Sequence, residues 1–178
     1  VAIGASALLN QNFTSATNAY NVAVGTNAGL SVTTGVQNTL IGGLAGDAIT
    51  TATDNTAVGY SSLGANTTGV DSVALGSSAL RISTTASYNT SIGSASMYNN
   101  TTGASNVAVG QAALFNNTTA SNNTAVGRDS LKANTTGGNN TAVGYEAGYS
   151  NTTGTEIVAI GPQALYKNTT GYENVAIG

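Results

Sequence analysis

Cysteine, histidine and tryptophan are missing from this 178-residue chain, and proline occurs once. Charged residues are 6% of it, against roughly 25% in typical soluble domains. Each shortage removes a class of function. Without His or Cys, the commonest metal ligands, nucleophiles and general bases are gone, so neither an enzyme nor a cofactor is expected. Four Lys and Arg residues provide no basic footprint for nucleic acid. No apolar run approaches the ~20 residues of a membrane helix, so no membrane insertion is expected within this segment.

What fills the chain instead is Asn, Thr, Ser, Ala and Gly, arranged as a repeat. Glycines that close an "AVG"-like triplet stand at Gly25, Gly42, Gly59, Gly76, Gly93, Gly110, Gly127, Gly144, Gly161 and Gly178, at a constant interval of seventeen. Only the first interval, from Gly4 to Gly25, is longer, by four positions. The four additional residues are expected within 10–20, as a loop bulging from one turn. Opening on "VAIG" and closing on "NVAIG", the chain reads as an excerpt of a longer fibre, with 1–178 forming a single repeat domain.

The residue before every marker glycine is Val, Ile or Leu, and the residue three before is Val or Thr. Between them stands Ala, except at Leu40 and Ser91. Aliphatic and β-branched residues at period two are a strand signature. A helical repeat fails, because a unit this short, interrupted by Gly and Asn-Thr-Thr-Gly, cannot hold two helices and no 3.6-residue period survives. The expectation is an all-β fold: a parallel β-solenoid, or β-roll, of about ten 17-residue coils, stacked ~4.8 Å apart.

Successive strand residues alternate faces. On that basis the column Val24, Ile41, Val58, Leu75, Ile92, Val109, Val126, Val143 and Ile160 is expected inside the coil. A Leu four residues after the glycine (Leu63, Leu80, Leu114, Leu131 and Leu165, with Met97 in one coil) is expected there too. Three medium side chains per coil, at ~2 kcal/mol each, offset only part of the ordering entropy. The small residues Ala23, Ala57, Ala74, Ala108, Ala125, Ala142 and Ala159 would then face outward and admit another backbone. They are the expected chain–chain interface of a homotrimer.

Asn opens most strands, from Asn21 to Asn174, which predicts a coil-to-coil amide ladder. The "NTTG" segments read as turns, although Asn66, Asn134, Asn151 and Asn168 match the glycosylation acceptor pattern. Tyr98, Phe115, Tyr149 and Tyr166 share a column and are candidates either for glycan contact or for packing, on a neighbouring chain or over the coil beneath. Asp54, Asp71, Glu156 and Glu173 share another column and read as solvated edge residues.

"NVAVG", "DSVALG" and "NVAIG" resemble the strand motif in the head domains of trimeric autotransporter adhesins. The longer "NTAVGY…AL…NTTG" resembles repeat arrays of bacteriophage tail fibres and related virion appendages. These resemblances cover the whole chain, although the adhesin-head repeat is shorter than the repeat found here. They imply a non-catalytic homotrimeric shaft of a virion fibre or similar extracellular appendage, which spaces, and contacts a host-surface glycan or protein receptor through many weak sites. The alternatives are the head of a bacterial adhesin binding host matrix or glycan, and an ice-binding solenoid carrying a Thr array. The expected location is a virion appendage or the cell surface.

Overall fold

The computed structural model describes residues 1–178. It contains eleven strands and no helix. β1 is Ala2–Ile3 and β2 is Val22–Val24, after which a three-residue strand recurs once per repeat to β11, Val175–Ile177. All pair in parallel and in sequence order as one eleven-stranded sheet. Equivalent residues stack directly, Ala57 on Ala74 and Ala108 on Ala125. The chain is therefore the parallel β-solenoid that the repeat predicts.

The strands are too short to hold such a stack alone. Of 111 backbone hydrogen bonds, 19 lie within the sheet and 92 join turns and loops. The turns are laddered as regularly as the strands: the Leu63, Leu80 and Met97 amides donate to the Ala79, Ser96 and Ala113 carbonyls. Each coil's backbone is thus satisfied by its neighbour around most of its circuit, which removes the cost of burying turn amides. Leu8 and Asn10 donate twenty positions on, to Ala28 and Leu30, where the equivalent Gly46 donates sixteen on, to Ser62. By Ala19 the register is regular again, since Gln37 donates to it as Asp54 donates to Val36. The four additional residues of the first coil therefore lie between Asn12 and Ala19.

The two strand faces are the reverse of the sequence expectation. Ala23, Ala57, Ala74, Ala108, Ala125, Ala142 and Ala159 are all fully buried inside the coil. They are not available as an interface. The column expected inside lies on the outer face: Val24, Val58, Ile92, Val109 and Val126 are half-buried, and Ile41, Leu75, Val143 and Ile160 are exposed. The cause is the width of the coil. Leu63, Leu80, Leu114, Leu131 and Met97 project fully buried into the lumen, alongside buried Asn side chains. The strand wall has room for a methyl only, so a three-residue strand turns its one small residue inward and its two branched residues out.

Volume in this lumen is kept constant from coil to coil. Where the Leu position holds Gly29 or Gly46, the strand carries Leu40 in place of Ala. Leu40 methyls stand 2.7 Å from where a Cβ on either glycine would lie. Val32 and Ile49 crowd the same two glycines. At Gly148 the space is filled by Leu131 and by Ile157, which replaces the strand-opening Asn. Interiors packed near crystal density require such exchanges.

Candidate interaction surfaces

Two ladders of amides rise through the interior. Asn38 Nδ2 donates to Asn21 Oδ1 at 3.3 Å and to the Ala52 carbonyl at 2.8 Å, and the Asn38 backbone N–H also reaches Asn21 Oδ1. The two bonds to the preceding Asn recur at Asn55, Asn106 and Asn123, so the column of strand-opening Asn is the ladder that the sequence predicts. The second ladder was not foreseen. Asn117, Asn134, Asn151 and Asn168 each donate to the Asn one coil earlier. They are the "NTTG" asparagines. Asn66, Asn134 and Asn151 are fully buried, and no glycan could be attached to them in the folded coil. The sequence signal is Asn at this position in five successive coils, Asn100 to Asn168, which an exposed turn does not need.

In every coil but the last, the first Thr of the pair is half-buried and donates its hydroxyl to the next coil's Thr carbonyl, as Thr67 does to Thr84 at 3.1 Å. The second Thr is exposed in every coil, from Thr34 to Thr170, in single file. Asp54, Asp71, Glu156 and Glu173 are exposed. No cluster of three acidic side chains is placed to hold a metal ion. No helix is long and apolar enough to cross a membrane.

The four aromatic candidates are brought together in two pairs. Tyr98 stacks on Phe115 with centroids 5.3 Å apart, and Tyr149 on Tyr166 at 5.1 Å. Arg81 lies over Tyr98 at 5.8 Å and Lys132 over Tyr149 at 5.6 Å. One column therefore runs Arg81, Tyr98, Phe115, Lys132, Tyr149, Tyr166 as a ladder of rings and cations. All four rings are half-buried, and each paired ring turns one face onto its partner. This is packing of coil upon coil, the alternative to glycan contact at these positions.

Charge is concentrated beside that ladder. Asp129 binds Arg128 Nε at 3.0 Å and Lys132 Nζ at 2.9 Å. Burial pushes the Asp129 carboxyl up, but hydrogen bonds from Lys132 and Arg128 outweigh it and hold the group below the usual carboxylate range. The hydrogen bond to Asp129 raises both cations. Arg128 also lies 5.2 Å over the Tyr145 ring. Gln163 ties the next coil in, donating to Glu146 at 2.8 Å.

The outer face of the sheet is uncovered. It presents Val or Thr and then Val, Ile or Leu at every coil, without a charge along its length. Leu75 is 43% exposed, Ile160 39% and Ile41 38%. Isolated apolar side chains on a surface are ordinary, whereas a contiguous file of them marks an interaction site. Comparisons with protein-family models, with curated proteins and with solved structures found no match for the chain.

Proposed function

We propose that this solenoid is a non-catalytic shaft segment of a virion fibre, such as a phage tail fibre, or of a similar extracellular appendage, and that it works as a homotrimer. The observation that carries the reading is the uncharged outer face of the sheet, with an unbroken file of Val, Ile and Leu before the marker glycines. Eleven coils at ~4.8 Å give a stripe roughly 50 Å long. Three copies around one axis bury it while leaving the polar turns in solvent. Three-fold closure joins the same two surfaces on every chain and leaves no copy open to further growth. The rod resists bending because its turns, strands and amide columns are all laddered. Its function is to space, to stiffen and to repeat a surface for weak multivalent contact with a host glycan or protein receptor. Location on a virion or cell surface follows from the same reading.

Light scattering on the purified chain tests it. The expected mass is three times the 17.4 kDa chain. Val109→Glu, which places a charge on the stripe, is expected to return the mass to that of one chain with the β-sheet circular dichroism intact. A parent protein that is monomeric at high concentration overturns the proposal and favours a solenoid that works as one chain. Binding of the isolated segment to host matrix or glycan would favour an adhesin head over a shaft.

A further inference from the structure

The ladder of rings and cations has one missing rung. Below Arg81 the same column holds Gly64, and below that Asp47. The vacancy at Gly64 opens a cavity of about 290 Å³, lined by Leu44, Asp47, Ser61, Arg81 and Ile82. It is the one pocket on a rod that is otherwise smooth.

The ends of this gap differ in chemistry. Arg81 meets Tyr98 on one side, with its Nη1 2.7 Å from the Tyr98 hydroxyl oxygen. Its other side along the stack faces the gap. Guanidinium groups stack on aromatic rings from either face. At the opposite end, Asp47 leans in: its Oδ1 would lie 3.5 Å from a Cβ on Gly64. No hydrogen bond reaches the Asp47 carboxylate from another side chain and no cation forms an ion pair with it, although it is only half-exposed. Burial pushes its carboxyl up, and a hydrogen bond from its own backbone N–H and the charge of Arg81 pull it part of the way back. Leu44 and Ile82 form apolar side walls. The two ends lie two coils apart, ~10 Å, which is room for one ring at the spacing of the ring pairs higher in the ladder.

We propose that the gap at Gly64 binds a small phenol, which completes the ladder by stacking on the Arg81 guanidinium and donating its hydroxyl hydrogen to the Asp47 carboxylate. The ring supplies the aromatic face that Arg81 lacks on that side. The hydroxyl adds a donor to a carboxylate that no other side chain serves and that has its own backbone N–H. A ring without a donor forgoes that hydrogen bond, and a carboxylate ligand meets repulsion from Asp47. The site is separate from the aliphatic face of the sheet and does not depend on the shaft reading.

Fluorine NMR with 4-fluorophenol and fluorobenzene as probes tests the site at any assembly size. The expected result is a saturable shift of the 4-fluorophenol resonance, with fluorobenzene weaker by about tenfold, the loss of one hydrogen bond to a charged acceptor. Gly64→Tyr puts the chain's own ring in the gap and is expected to abolish the shift. Asp47→Asn leaves the backbone untouched and is expected to weaken 4-fluorophenol several-fold, so a failure of Gly64→Tyr to fold leaves a working test. No saturable shift overturns the proposal. So does equal binding of fluorobenzene, or undiminished binding by either folded variant.

Discussion

Leu40 and Gly46 are halves of one packing decision: the Leu40 methyls stand 2.7 Å from where the first side-chain carbon of residue 46 would lie. In most other coils the inner-strand residue is Ala and the lumen is filled from the other wall, as by Leu63 or Leu114. Leu40→Ala is expected to cost about 2–5 kcal/mol as a cavity, and Gly46→Leu about 1–3 kcal/mol as overpacking. The double variant is expected to lose less than the sum, because it restores the arrangement of the neighbouring coils. Denaturant melts of all four proteins measure the coupling, and strict additivity would refute the exchange.

The marker glycines are required by contact as well as conformation. Gly110 has φ +140°, and an added Cβ would stand 2.5 Å from the Gly127 carbonyl oxygen of the next coil. Gly110→Ala must separate two coils or twist the strand end. A loss of about 3 kcal/mol or more is expected from the melting curve. A melt within about 0.5 kcal/mol of the parent would show that the coil ends give way easily.

Ala108 and Val109 are neighbours with opposite fates. Ala108 is fully buried and Val109 is half-buried on the outer face. Ala108→Trp is expected to unfold the coil itself, since nothing in the lumen can yield to an indole. Val109→Asp is expected to change the stability of a single coil stack by no more than about 1 kcal/mol. Circular dichroism of the two variants at low concentration separates these outcomes, and the reverse ranking would return the valines to the core.

Ser83 interrupts the second amide ladder, and its hydroxyl is buried with no hydrogen-bond partner. The residues one coil to either side are Asn66 and Asn100, both fully buried. Ser83→Asn is expected to extend the ladder, donating to Asn66 Oδ1, and to raise stability by about 1 kcal/mol. A lower melting temperature would mean that the lumen at this coil is too narrow for the amide.

The Arg128–Asp129–Lys132 cluster gives stability a pH dependence of known sign. A carboxyl held below its unfolded value contributes stability above that value, which is lost as pH falls through the lower, folded one. The contribution is therefore complete at neutral pH and disappears in the acid range below about 4. Asp129→Asn, which keeps a residue tolerant of the left-handed backbone at φ 58°, is expected to cost about 1 kcal/mol at neutral pH and little once the carboxyl is protonated. Melting both proteins across pH checks the convergence.

The sequence by itself determined the repeat length, the strand positions, the parallel stacking and the Asn column. A strict recurrence of Gly and aliphatic positions, with Asn in most coils, at so short a period has no other economical reading, because equivalent positions must meet when coils stack. It also determined that no His or Cys chemistry is present. Which strand face points inward was decided only by the tertiary structure. Alternation puts Ala108 and Val109 on opposite sides of the strand without saying which side is the lumen, and hydrophobicity alone favours the valine. The answer depends on how far Leu114 and Asn117 reach from the opposite wall, a distance that no local pattern contains. The left-handed backbone at Leu63, Leu80, Leu114 and Leu131 was equally hidden, since leucine carries no preference for it and only the laddered turns hold it there. The missing rung at Gly64 becomes a cavity only because stacking brings Asp47 and Arg81, two repeats apart in the chain, to its two sides.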